Sequence, residues 1–327
     1  MNLLETEDFQ TYLTGCVRTE QTADGLFLHR HTKKQTDYYA KANESWSIRS
    51  RCAAGIQLRL QTDSQTLDMA GFVRDGARTY AGVDVEVDGR AITALRLDTS
   101  DEEQTLRLFE FPDRAMRQVT VTFPQSAIVE LLAVTLEDDA QIAPFPESTT
   151  KYLAIGDSIT QGMDARGPAS AYVVQLARMM DAELLNLGVG GHIFDLDAMD
   201  DDLPYTPDIV TVAYGTNDWT REFTREQIAD TTTQYLSRLL DTVAKSAKVY
   251  VLTPLWRAIG EEVKPGGTLL EFSETLASAA SGVSGIIVID GTTLVPPRLE
   301  IMPGGTHPND EGFLHYALNL HKAISST

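Results

Sequence analysis

The chain has 327 residues, of which 47 are acidic and 27 basic, giving a formal net charge of −20, with 43% hydrophobic and 23% charged residues. This is the composition of a folded globular protein long enough for two domains. The acidic balance argues against nucleic acid or an anionic membrane surface as a partner, because either would call for a basic stripe.

No segment approaches the roughly 18 consecutive apolar residues of a membrane span. The start, MNLLETEDFQ, lacks the basic and apolar regions of an export signal, so cytoplasmic residence is expected. Cys16 and Cys52 are then expected as reduced thiols.

Residues 1–140 carry period-2 stretches at 55–62, 82–89, 104–111 and 118–124, separated by Gly, Asp and Pro turns, with a long helix conceivable only at the extreme N-terminus. Val83, Val85 and Val87 are expected on one face of a strand and Asp84, Glu86 and Asp88 on the other, with Asp88-Gly89 forming a hairpin turn. The pattern predicts an all-β sandwich, jelly-roll-like in arrangement. Glu137–Thr150 is acidic and proline-containing, which places a linker at 141–150 and a second domain at 151–327. In that domain, strands at 151–156, 183–187, 208–213, 248–253 and 285–290 alternate with helical patterns. Such alternation predicts a doubly wound parallel five-stranded sheet. Thr224 and Gln227 form a capping box for a helix.

Chemistry concentrates at the carboxyl ends of these strands, where open parallel sheets bind ligands. KYLAIGDSITQG, residues 151–162, runs from an apolar strand into a polar turn carrying Ser158. Gly156 permits the tight turn, and the unpaired N–H groups of the following helix face a developing oxyanion. Thr160 replaces the second glycine of G-x-S-x-G, so this is not the nucleophile elbow of the larger hydrolase fold. ELLNLGVGG ends in a glycine-rich exit where Gly191 offers a backbone donor. DIVTVAYGTNDW brings Asn217, an amide donor, to the same edge. In PGGTHPNDEGF, His307 precedes Pro308 at the expected entrance of a terminal helix.

GDSITQG, then N-x-G-x-x-G (Asn186, Gly188, Gly191), GTND and HPND, in this order, resemble the SGNH (GDSL-type) hydrolases, over residues 151–327. The resemblance implies a flavodoxin-like fold. It also implies Ser158 as nucleophile, the Ser158 and Gly191 N–H groups with the Asn217 side chain as oxyanion hole, and His307 as general base. The family's aspartate three residues before the histidine is absent, since Gly304 stands there. Its task of fixing the imidazole tautomer falls to a backbone carbonyl of the 302–306 turn near Gly304, which is the preferred reading, or to Glu300 or Asp290.

An N-terminal β-sandwich ahead of such a domain is similar to two-domain carbohydrate esterases. The expected function is hydrolysis of short-chain, acetyl, esters on carbohydrates by a Ser-His acyl-enzyme mechanism with no cofactor or metal. The substrate would be a small-molecule or oligosaccharide ester. The competing readings are a glycan-binding or interaction protein with a degenerate hydrolase domain, and a lipase, thioesterase or acyltransferase of the same fold.

Trp219 and Trp256 are candidate substrate contacts, with core packing as the alternative. Asp157 either tunes the site or anchors its turn, and Arg257 is a candidate contact for an anionic substrate. His29 and His31 share a strand face without metal-ligating companions. The acidic run from Asp195 to Asp202 reads as a solvated turn.

Overall fold

The computed structural model describes residues 1–327. Its N-terminal part is a sandwich of two antiparallel sheets. One has the spatial order Leu13–Thr14, Gln57–Thr62, Arg117–Thr122, Tyr80–Val87, Arg90–Asp98, and the other Arg18–Gln21, Leu26–His29, Ile128–Leu136, Thr66–Arg74, Ser100–Glu110. Alternation along each strand sends Leu58, Leu60, Val83, Val85, Val119 and Val121 into the core between the sheets, where they are buried. Asp88 and Gly89 have φ of 49° and 74°. Two successive left-handed residues make the turn whose twist matches a two-residue hairpin.

Three features differ from the sequence reading. Helices occupy Lys33–Ala42 and Glu44–Ser50, while the extreme N-terminus forms only short 3-10 turns. The signal for the first helix is a Thr32–Gln35 capping box, and Asn43 both ends it and caps the second. Within the stretch read as linker, Ile142–Pro144 pairs with residues 60–62 as an edge strand of the sandwich. Asp84 and Glu86 do point away from Val83 and Val85, but the α/β part covers that face: Asp84 accepts the Ala169 amide at 2.9 Å, and Glu86 pairs with Arg178.

The α/β part is a parallel sheet of β1 (Thr150–Gly156), β2 (Ala182–Asn186), β3 (Ile209–Ala213), β4 (Lys248–Leu252) and β5 (Ile286–Ile289), in the order β2-β1-β3-β4-β5. Apolar clusters on both faces bury it, as an all-parallel sheet requires. The chain leaves β1 for β2 on one side and returns to β3 on the other, so a crevice opens at the carboxyl ends of β1 and β3. The last helix, Asp310–Ser325, starts at the Asn309 cap, which leaves His307 and Pro308 in the turn ahead of it. No helix is long and apolar enough to cross a membrane.

Candidate active site

β1 ends in Gly156, and Ser158 opens the short helix Ser158–Gln161. A Cβ on Gly156 would lie 2.2 Å from Thr160 Oγ1, so the turn closes only around glycine. Asp157 caps the helix, its Oδ1 accepting the Ile159 amide at 3.0 Å. Burial pushes its carboxyl up to about 6, against the Ile159 bond and the charges of His307 and Arg257.

Ser158 Oγ lies 2.8 Å from His307 Nε2, and His307 Nδ1 lies 2.6 Å from Asp164 Oδ2. With Nδ1–H donating to a carboxylate, Nε2 is left as the acceptor facing the serine hydroxyl. Asp164 therefore replaces all three groups considered for orienting the imidazole. Glu300 is exposed, and only its carbonyl is engaged, by Asn309. Asp290 caps the turn Gly291–Thr293 through the Thr292 amide. Gly304, at φ 73°, sits in an exposed turn whose carbonyl is not the partner of Nδ1.

Asp164 itself has φ 73°, a left-handed conformation that aspartate tolerates. Its Oδ1 receives Arg78 Nε at 2.7 Å and Nη2 at 2.6 Å, with Tyr80 Oη at 3.4 Å. Arg78 and Tyr80 come from the β-sandwich, so both parts of the chain build this array. Burial raises the Asp164 pKa, but the hydrogen bond and charge of His307, then the Arg78 pair, outweigh it and hold the carboxyl at about 2.

Behind Ser158, the loop after β2 is stitched to the serine turn. Asn186 Nδ2 donates to Thr160 O at 2.9 Å, the Gly190 amide to Gln161 Oε1 at 2.8 Å, and the Val189 amide to Gly156 O at 2.9 Å. A Cβ on Gly188 would lie 2.4 Å from Gln161 N, so this approach too demands glycine. The Gly191 amide has no acceptor within the protein, and neither does that of Ser158 at the first turn of its helix.

After β3, Asp218 accepts the Gly215 amide at 3.0 Å and the Phe194 amide at 3.1 Å, fixing the turn that carries Asn217. Burial pushes Asp218 up to about 7 despite those bonds. Asn217 Nδ2 donates to His192 O at 3.0 Å and to Asp157 Oδ2 at 3.2 Å. Asp157 thus both anchors its turn and holds Asn217.

Trp219 is not at the cleft. It is fully buried against the core beneath β3, with its Nε1 donating to Gly267 O at 2.9 Å. Trp256 is half-buried and packs on the opposite core. The aromatic that does approach the site is Trp46, from the helix Glu44–Ser50: its Nε1 would lie 3.7 Å from a Cβ on Gly191. The acidic run is also less solvated than expected. Asp195 binds Tyr38, and Asp200 binds Thr32 and Lys34, so the run anchors the helix Lys33–Ala42. His29 bonds Glu20 and Arg18, His31 bonds the Ser50 carbonyl, and no three His, Cys, Asp or Glu side chains converge in ligating geometry.

Residues 154–313 match the family model described as GDSL-like lipase/acylhydrolase. The α/β part belongs to that family. No curated protein matches the chain. Among solved structures, the GDSL-like domain and its sandwich together resemble a salicylyl-acyltransferase from a tetracycline biosynthetic pathway, with TM-score 0.82 and 18% identity over 96% of this chain and 94% of that one. A Bacteroides ovatus protein assigned as a GDSL-like lipase without demonstrated activity in its description gives 0.78 and 20% over 100% and 96%. A family two carbohydrate esterase from Cellvibrio japonicus gives 0.66 and 17% over 97% and 96%. At these identities the likeness establishes the fold, including the sandwich in front of the GDSL-like domain.

Proposed function

We propose that the protein is a serine esterase that removes short acyl groups, acetyl in the first instance, from carbohydrate esters. The observation that carries this reading is the continuous array Ser158–His307–Asp164, at 2.8 and 2.6 Å. His307 takes the Ser158 proton as Oγ attacks the ester carbonyl, and Asp164 holds the tautomer and stabilises the imidazolium. The Ser158 and Gly191 amides and Asn217 stabilise the oxyanion, Asn217 by sharing the longer of its two hydrogen bonds. His307 then protonates the departing alcohol, and water repeats the sequence on the acyl-enzyme. No step in this sequence calls for a metal or an organic cofactor.

The carbohydrate assignment draws on the esterase neighbours that share the sandwich. The intact array disfavours a degenerate, purely glycan-binding domain. Cys16 and Cys52 are unpaired.

The test is labelling with a serine-directed phosphonate, followed by turnover of acetyl, butyryl and longer aryl esters and of acetylated oligosaccharides. Wild type is expected to label and to prefer acetyl, while Ser158→Ala does neither. Full activity in Ser158→Ala would refute the assignment. Preference for a sugar acceptor over water would convert it to an acyltransferase.

A further inference from the structure

The rim of this site is basic although the chain carries a net charge of −20. Arg49, from the helix Glu44–Ser50, donates Nη1 to Gly190 O at 2.9 Å and would lie 3.0 Å from a Cβ on Gly191. Arg221 donates Nη2 to Gly191 O at 3.1 Å, its guanidinium 4.8 Å from the Trp46 ring centroid. Arg257 donates to Thr220 Oγ1 at 2.8 Å and to Thr306 Oγ1 at 3.1 Å, next to His307, while its buried Nε has no partner. All three are held by carbonyls and hydroxyls. Most other arginines of the chain, such as Arg78, Arg96 and Arg238, pair with carboxylates.

Bracing a carbonyl or a hydroxyl calls for a donor, not a positive charge. Arg49 faces the like charge of Arg78, and the carboxylates that act on Arg257, Asp157 and Glu262, form no ion pair with it. An incoming anion supplies the counter-charge that none of the three has as an ion-pair partner and takes up their open N–H groups. We propose that the site takes esters bearing an anionic group, a carboxylate, sulfate or phosphate, and that Arg49, Arg221 and Arg257 recognise it. This rests on the serine-esterase reading and narrows its substrate to acidic molecules, such as an acetylated acidic sugar.

Matched ester pairs test it. On the acyl side, 4-nitrophenyl hemiglutarate is compared with 4-nitrophenyl pentanoate. On the alcohol side, 4-acetoxybenzoate is compared with its methyl ester. Both kcat/KM of the wild type and calorimetric binding to Ser158→Ala are measured at low salt. The anionic member of at least one pair is expected to win by about 10- to 100-fold, the range of a charged hydrogen bond, with the advantage shrinking as salt rises. The winning pair tells whether the anion belongs to the acyl or the alcohol half. Arg221→Gln and Arg257→Gln should each cut the anionic-to-neutral ratio about tenfold, and Arg90→Gln, on the exposed strand Arg90–Asp98, should leave it unchanged.

Equal or better handling of the neutral member in both pairs overturns the proposal, and leaves the esterase standing if those esters are hydrolysed. Tighter binding of an anionic ester to Ser158→Ala, in a protein whose wild type hydrolyses nothing, sinks the esterase and keeps the anion site.

Discussion

Replacing Asp164 by asparagine should be more damaging than replacing it by alanine, because Arg78 dictates which way the new amide points. Arg78 places two N–H donors on Oδ1, at 2.7 and 2.6 Å. In Asp164→Asn the single carbonyl oxygen turns to Arg78, which leaves the NH2 group facing His307 Nδ1. That nitrogen must then accept, so the proton moves to Nε2, which no longer takes the serine proton. A wrong tautomer of this kind lowers turnover by on the order of 10⁴ in the serine-protease triad. Alanine imposes no tautomer and should retain more activity, although at φ 73° its left-handed backbone costs about 1–2 kcal/mol of stability.

The double variant Arg78→Ala/Asp164→Asn supplies the decisive comparison. With the guanidinium gone, the asparagine oxygen is free to turn toward His307, so the second substitution should raise activity about tenfold over Asp164→Asn. Arg78→Ala alone should lower it. The assay is kcat on 4-nitrophenyl acetate, with melting temperatures taken in parallel. Asp164→Asn matching or exceeding Asp164→Ala, or a double variant weaker than Asp164→Asn, would refute the reasoning.

Asn217→Ala should lower kcat by about 10²- to 10³-fold with little change in KM, the cost of one oxyanion donor; an unchanged kcat would remove Asn217 from that role. Gly188→Ala drives a Cβ to 2.4 Å from Gln161 N and 2.7 Å from Thr160 C, so it should lower stability by about 1–3 kcal/mol or more and displace the serine turn, read as a lower melting temperature together with lost phosphonate labelling. Asp157 and Asp218 have pKa values raised to about 6 and about 7. The folded protein therefore binds more protons than the unfolded chain between about pH 4 and 7, and these two groups favour folding below that window and lose their contribution as pH rises through it. The melting temperature should fall between pH 5 and 8, and Asp218→Asn should flatten that fall; a melting temperature that climbs across this range would contradict both assignments.

Much of the architecture was legible because its signals are local. Alternation of Val83, Val85 and Val87 with acidic residues, the Asp88-Gly89 turn and the capping box at Thr224 each depend on neighbours within a few residues. The five parallel strands, their ends displaced by one residue at most from expectation, follow from short apolar runs bounded by turns. Ser158, Gly191, Asn217 and His307 were nameable because each sits in a short motif resembling a known family, within the loops, turns and short helices at the one edge where a parallel sheet concentrates its loops.

What determined the rest was distance along the chain. Asp164 lies 143 residues from His307, in a segment with no periodicity or cap to mark it, and Arg78 is 86 residues earlier still. Arg49 and Trp46 reach Gly191 only because a helix of the N-terminal part docks beside the loop after β2. Trp219 follows the site motif directly, yet a single short helix turns its ring into the core. Local chemistry selects elements and turns by steric and hydrogen-bonding rules that act over a few residues. The partner of an imidazole, the charge on a rim and the burial of a ring depend on packing between elements, which tertiary structure alone specifies.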